Sequence, residues 1–587
     1  MRTDEITSAR RASDRRDPGT GPGPDGVARV PNRVWSALML AGWAGQVAVR
    51  VWSTWRQAMP SLTPDEAGYL IGARVLAGGT SADLSGNGLY RAGYSLLISP
   101  VYWLTDDPHL VYRLVVLLNC LISSAVFPLA YALLRRLSLP RPAAGALAFA
   151  CALLPAVVYY VQFAMADAVL PVVVLGWLLL THRWISDGRL QYGIAAGALA
   201  SYAYAVHSRG TVILLVHAGL LGVVLLRRGA SRRDVAVAAQ VMATTAALAW
   251  AVNHWLQSRV YPGGILSMSD YLVDRLTSVD GLVWTLSLTA GQVWYLITAT
   301  WGLAGLGLLA LTSTVISRTT PPAIRTMAAI VLAVVLGVAL GSSAALPDEH
   351  SVNNFFYGRY LACVAPVLFA IGAAVLHLRR TRLPRAFAAT AAGAVLCGGI
   401  ASLYAGERLT AYPYLKFNFP EISALTRQWS SLHVGQATAG AILLLALVIA
   451  IAATTGREST ILAATALAFL NSAAVIVVTL NISWPMAAST RAAADLTDAG
   501  ISRDDRIAID RNGVNFRIWM LHAFQAPWHP ITPMRPTDPA SLPSETTLVI
   551  VPRGPGASER SSWPAAPATW HPVLARDSWA AWRPASQ

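Results

Sequence analysis

The sequence predicts an all-α polytopic membrane protein of about thirteen transmembrane helices, followed by a small α/β domain outside the membrane. Three observations carry this. Of 587 residues, 55% are hydrophobic and only 13% charged, with a mean hydropathy of +0.48. Apolar runs of about 17–25 residues recur along the chain, each long enough to cross ~30 Å of hydrocarbon, where backbone groups must close their hydrogen bonds within a helix. The basic residues, all arginine except Lys416, gather in short clusters between these runs. That clustering is the positive-inside pattern, and it excludes nucleic acid as the reason for the net charge of +15, since the cations do not follow one polar face.

Residues 1–33 are rich in Arg, Asp, Pro and Gly and read as a disordered cytoplasmic tail. The first apolar run, Val34–Trp52, lacks a small-residue cleavage site and reads as a retained span rather than a signal peptide. Further runs lie near 110–134, 143–163, 167–181, 191–206, 210–226, 235–255, 291–316, 326–346, 360–378, 386–404, 433–454 and 460–481. Cys120, Cys151, Cys363 and Cys397 fall inside apolar runs without CxxC spacing, as packing residues do.

With the tail in the cytoplasm, alternation puts six loops inside. They carry Arg135, Arg136, Arg141; Arg183, Arg189; Arg227, Arg228, Arg232, Arg233; Arg318, Arg325; Arg379, Arg380, Arg382, Arg385; and Arg457. That is sixteen arginines in about 46 residues, against ten basic residues in roughly 140 of outward loop. Merging 190–226 into one helix would reverse every later loop and break the rule, so both short spans are expected.

The transmembrane domain then covers 34–482, with a long first outer loop at 53–109, and residues 483–587 form an extracytoplasmic C-terminal domain. Within it, Ala487–Ala499 and Val514–Phe524 read as helices, and Arg506–Asp510 and Thr547–Val551 as strands. Trp528, Trp563, Trp570, Trp579 and Trp582 suit core or membrane-interface packing, with stacking on sugar rings the sharper alternative.

The first outer loop carries the pattern that points to chemistry. Pro64 precedes Asp65-Glu66, which open an amphipathic helix ending at Gly78-Gly79. A second apolar helix, Gly93–Leu104, is too short to span, so both are expected to lie along the membrane surface. Asp65 alone reads more readily as a helix cap. Other outward polar residues accompany it: Asp167 at the end of a span, His207-Ser208-Arg209-Gly210 in a turn, and the loop 348–360 with Asp348, His350, Tyr357 and Arg359. Charges at the edges of apolar spans are costly and usually have a partner or a task. Four on one side imply one outward-facing cavity. A carboxylate beside arginines at a lipid surface suits group transfer from an anionic lipid. Arginine grips phosphate through forked, charge-assisted hydrogen bonds, and a carboxylate accepts the proton of an attacking hydroxyl. One base and one phosphate clamp suffice for a single displacement with inversion.

In these residues the chain resembles the GT-C superfamily of polyprenyl-phosphate-sugar-dependent glycosyltransferases, in the branch of protein O-mannosyltransferases and aminoarabinose transferases. The similarity covers roughly residues 34–230: one span, the Asp65-Glu66 start, the Gly93-Tyr94 helix, Val111-Tyr112-Arg113, Asp167 and Arg209-Gly210. Tyr357-Gly358-Arg359-Tyr360 is similar to a loop-to-span motif of bacterial members. The resemblance implies Asp65 as catalytic base, with Glu66 and Asp167 as further acidic candidates. It implies Arg209 and Arg359 as the donor-phosphate clamp, with His207, Tyr357, Arg91 and Arg113 as further substrate contacts. The lysines common in relatives are absent, which leaves the clamp to arginine.

The function expected is therefore sugar transfer from a polyprenyl-phosphate donor to an envelope glycan, glycolipid or protein acceptor, at the outer face of a bacterial plasma membrane. The alternative is a transporter or flippase of a lipid-linked or small polar substrate, which calls for mid-membrane charges and paired broken helices. A third reading is a scaffold acting through the C-terminal domain. No cofactor is required by the sequence, but Asp65, Glu66, Asp167 and His350 are candidates to converge on a divalent cation.

Overall fold

The computed structural model describes residues 31–378, 382–453, 458–538 and 542–585. The tail expected at 1–33, up to residue 30, and the inner-loop Arg379, Arg380 and Arg457 lie outside the described residues.

Each of the thirteen expected apolar stretches is a helix or a pair of helices. Eight helices among the described residues are long and apolar enough to cross a membrane, and ten if two bent pairs each count as one span. Leu170–Asp187, Leu190–Val206 and Gly210–Leu226 make up the difference; they are short or end in charged residues. Local signals start several helices. Asp107 accepts from the Leu110 N–H at 2.8 Å, and Ser231 from Asp234 at 3.0 Å, each satisfying an orphan donor of a first turn. The run expected at 291–316 begins earlier, as Val279–Ala299, and breaks before Leu303–Ile316. Both halves pack on Pro322–Ala345 and Leu383–Ala405. The mixed polarity of residues 279–290 hid that first half from an apolar-run reading.

Two bends bring distant loops together. Arg141–Ala152 turns by 58° into Pro155–Gln162, and Asn353–Leu361 by 76° into Ala365–Leu378. Each bend is accompanied by a tight segment containing a 3₁₀ turn, 163–169 and 357–361, at the same end of the bundle as the first loop. At that end Arg50 is fully buried in the last turns of helix Asn32–Thr54. Its guanidinium donates to the Gln46 side chain (2.7 Å), the Ala152 carbonyl (2.8 Å) and Ser123 Oγ (3.2 Å), which ties the first span to its two neighbours.

The first-loop helix Asp65–Leu76 packs on Ala92–Ile98, whose last turn tightens into a 3₁₀ segment, Ser99–Trp103. The expected amphipathic surface helix is instead covered almost all round: residues 66–75 are all buried. The bundle covers one side, through Tyr69, Leu70 and Ala73, and the C-terminal unit covers another. Ala67, Ile71 and Val75 share one apolar core with Leu496, Ile507, Trp519, Met520, Ala523 and Trp579.

That unit is reached without a hinge. Helix Ser459–Val478 runs through a π-helical turn, Thr479–Ser483, into Trp484–Ala494, so the expected 482/483 boundary falls inside a continuous helical run. Five strands follow: β1 (Ile507–Ile509), β2 (Thr532–Pro533), β3 (Leu548–Pro552), β4 (Trp570–Ala575) and β5 (Trp579–Pro584), in sheet order β2-β1-β3-β5-β4. The β1 pairs are parallel, with Ala508 opposite Val549; β3–β5 and β5–β4 are antiparallel. The β4–β5 hairpin was not expected, because Pro572 and a register shift beside it interrupt the alternation. Trp563, Trp579 and Trp582 are buried in this unit, as core packing requires.

Candidate active site

Four segments meet at one end of the bundle: the start of helix Asp65–Leu76, the 3₁₀ turn Ala166–Ala168, the turn His207–Gly210 and the loop Tyr357–Tyr360. Close backbone contact holds the last two. A Cβ on Gly210 would lie 1.9 Å from the Ala203 carbonyl oxygen, and one on Gly358 would enter the Tyr295 ring at 1.9 Å. Only glycine allows Arg209 and Arg359 to be presented this way.

The side chains form a chain of alternating charge. Arg359 Nη1 donates to Asp65 Oδ2 at 2.7 Å, and its Nη2 and Nε donate to Asp167 Oδ2 at 2.9 and 3.2 Å. Arg209 Nη2 donates to the other oxygen, Asp167 Oδ1, at 2.7 Å. Arg359 is thus a fork between two carboxylates, and Asp167 a bridge between two guanidiniums. Tyr357 OH accepts from Arg359 at 3.2 Å, and Tyr90 OH donates to Asp65 Oδ1 at 3.1 Å.

Exposure divides the two aspartates. The Asp65 side chain is 31% exposed and that of Asp167 1%. Burial works to raise the Asp167 pKa, but Arg209 and Arg359 outweigh it and hold the carboxyl well below the usual range. Asp65 does not cap its helix: Pro64 takes that position, and the Asp65 carboxylate turns to Arg359 and Tyr90.

His207 accepts from the Arg209 backbone N–H and Nε through Nδ1, at 3.2 and 3.3 Å. Burial and the adjacent Arg209 charge push its pKa far below the ordinary value, so the ring stays neutral. Arg91 donates to the Tyr204 carbonyl at 2.7 Å and lies over the Tyr204 ring, at the rim beside His207.

Two sequence candidates stand apart. Arg113 is exposed and has no hydrogen-bond or ion-pair partner among the described residues; its neighbour Tyr112 takes the inward face, and one residue along a helix turns about 100°. Glu66 is fully buried but faces the opposite way from Asp65. Its Oε1 accepts from the Ser61 and Leu62 N–H groups (2.7 and 2.6 Å), and its Oε2 meets Tyr112 OH (2.5 Å) and the Ala164 N–H (2.8 Å). Burial pushes its carboxyl up to about 7, against the opposing hydrogen bonds. Glu66 therefore pins the first loop to the segment carrying Asp167.

The four acidic and histidine candidates do not converge on a cation position. His350 stands 73% exposed near Asp348, Glu66 is taken up by its own donors, and Asp65 and Asp167 are bridged by Arg359. Among the described residues no group of three or more His, Cys, Asp or Glu side chains is placed to hold a metal ion. Sequence reasoning missed Tyr90, which sits in a Gly-rich segment without periodicity, and Glu421. The latter accepts from Tyr295 OH at 2.5 Å beneath the Gly358 turn, and a lone carboxylate in the apolar stretch 419–426 was the available signal.

The architecture is a helical multi-pass bundle with a covered first loop and a C-terminal α/β unit. Two solved structures share it over nearly their whole length: ArnT from Cupriavidus metallidurans, in the apo state and bound to undecaprenyl phosphate. Each aligns with a TM-score of 0.53 and 13% identity, covering 94% of this chain and 98% of the other. The arabinosyltransferase EmbB from Mycobacterium smegmatis aligns with a TM-score of 0.43 and 15% identity, covering 94% of this chain and 47% of its own. No protein-family profile matches the sequence, and no characterised protein matches it by sequence.

Proposed function

We propose that the chain is an inverting glycosyltransferase that moves a sugar from a polyprenyl-phosphate donor to an acceptor hydroxyl on the outer face of the plasma membrane, with Asp65 as general base. The observation that carries it is the Asp65–Arg359–Asp167–Arg209 chain: an accessible carboxylate joined by a guanidinium fork to a buried one held between two guanidiniums. The fold shared with ArnT, which has been solved with undecaprenyl phosphate bound, supports a lipid-phosphate donor. The inward bias of the arginine clusters supports the sidedness.

In this reading each residue has one task. Arg209 and Arg359, aimed by Asp167, hold the donor phosphate. A phosphate arriving at Arg359 competes with Asp65 for the same Nη1, which releases Asp65 Oδ2 to accept the acceptor's proton. The acceptor oxygen bonds to the anomeric carbon as the bond from that carbon to the phosphate oxygen breaks. Asp65 takes the proton, and the electron pair of the broken bond stays on the phosphate oxygen of the departing polyprenyl phosphate, whose negative charge the two arginines stabilise. Neutral His207 keeps a third positive charge away from Arg209, and Arg91 supplies one at the rim.

The test is Asp65→Asn in purified protein given polyprenyl-phosphate sugars. Transfer should fall at least about a thousandfold, while the unfolding temperature stays near that of the parent. Turnover at an appreciable fraction of the parent rate would remove Asp65 from the base role.

A further inference from the structure

A second polar concavity lies at the other end of the same first-loop helix, where it meets the C-terminal unit. The cleft holds about 210 Å³ and is lined by Arg74 and Asp83 of the first loop and by Ile509, Arg511, Trp519 and Ile531 of the α/β unit. It lies beside the carboxyl end of β1, between Ile509 and Arg511 on one side and the segment 529–533 that leads into and includes β2 on the other, next to the helix Phe516–Gln525.

Its charge is built rather than incidental. Arg74 is 3% exposed, and its Nε and Nη1 donate to the Thr80 and Ala523 carbonyls, both at 2.8 Å. This fixes the guanidinium and leaves Nη2 without a partner among the described residues. Arg511 lies 4.7 Å over the centre of the Trp519 ring and donates to Asp83 Oδ2 at 3.0 Å and to the Asp83 carbonyl at 3.1 Å. Two held guanidiniums face one carboxylate, and His529 also lines the cleft, so its formal charge is +1 with that histidine counted as neutral. Ile509, Ile531 and Pro533 make the opposite wall apolar. A planar, charged fork opposite an apolar wall suits a small ring bearing an anionic group. The volume is below that of pockets for drug-sized ligands and matches one sugar unit.

We propose that this cleft binds an anionic sugar unit, carboxylated or phosphorylated, belonging to the acceptor. The assignment to the acceptor rests on the proposed transfer activity; the binding itself does not. Arg74 lies nine residues after Asp65, so the cleft is about 14 Å along the helix from the base. Helix Asp65–Leu76 is covered between its ends, so an acceptor reaching both sites would cross that cover, with its reacting hydroxyl at one end and its anionic unit at the other.

The experiment titrates the full chain in detergent with glucuronate, glucose 6-phosphate, inorganic phosphate and glucose, followed by saturation-transfer NMR. At least one anionic sugar should bind, and glucose should not. Preference between glucuronate and glucose 6-phosphate identifies the anion. Arg511→Gln should weaken that binding about tenfold or more, and Ile531→Trp, which fills the cleft, should abolish it. Equal binding of glucose, binding of inorganic phosphate as tight as that of the sugars, or binding untouched in both variants overturns the site. Anionic-sugar binding in a chain that turns over no lipid-phosphate donor would keep the cleft and sink the transfer reading. Transfer without such binding would do the reverse.

Discussion

Asp167 has both oxygens engaged by guanidiniums and almost no exposure, whereas Asp65 keeps an open side. Their neutral variants should therefore fail differently. Asp167→Asn leaves Arg209 and Arg359 buried without their shared counter-charge, and should cost about 3–5 kcal/mol in thermal unfolding as well as activity. Asp65→Asn should lose only activity. Arg359→Lys replaces a fork reaching two carboxylates with a point charge. Donor KM should rise at least about tenfold in initial-rate kinetics, and a KM within twofold of the parent would separate Arg359 from the phosphate. His207 gives a pH signature. Its folded pKa is depressed by burial and by Arg209, so the unfolded chain takes up a proton that the folded chain refuses. The stability it contributes is present above its unfolded pKa near 6.5 and shrinks as pH falls below that. His207→Gln should flatten this loss, as measured by unfolding temperature between about pH 7.5 and 5.

At the scale of elements, the site depends on how two broken passages end. The 76° bend after Leu361 is what turns Tyr357–Tyr360 toward the first loop, and Gly358 lets that turn sit against Tyr295. Gly358→Ala should displace Arg359 and cut transfer by about a hundredfold or more while the helical CD signal is kept, because a sub-ångström shift of a clamp is enough to lose its alignment. The Tyr295–Glu421 hydrogen bond props the same turn from below. Glu66 does the corresponding work for the first loop: Glu66→Ala would strand the half-buried Ser61 and Leu62 N–H groups and the buried Ala164 N–H. A loss of about 2–5 kcal/mol in thermal unfolding is expected.

For the whole molecule, the C-terminal unit acts as a lid on the first loop more than as an appendage. It shares a core with Asp65–Leu76, and it is tied on by Arg74 to Ala523, Thr80 to Pro527 at 2.6 Å and Trp528 to Asp106 at 3.0 Å. Removing residues 485–587 would expose Ala67, Ile71 and Val75 and release the helix that carries Asp65. The truncated chain should lose donor hydrolysis together with transfer. Retention of hydrolysis at the parent rate would show that the helix is held from the membrane side alone.

The sequence by itself determined the class of the molecule and where its apolar helices lie, because span length is a property read along the chain, and its arginine placement is the ground for the side expected of each loop. It also pointed to Asp65, Asp167, Arg209 and Arg359, since charges at the ends of apolar runs are rare enough to stand out. It could not tell Asp65 from Glu66, which are adjacent in the chain and face opposite partners, nor that Arg113 points away. It did not foresee Tyr90, which joins Asp65 across 25 residues of irregular loop. The cleft between Arg74 and Arg511 was equally out of reach, since hundreds of residues separate its two walls. Those outcomes were decided by tertiary structure: the direction a side chain faces and the partner it meets depend on bends and on long-range packing, to which periodicity and spacing carry no signal.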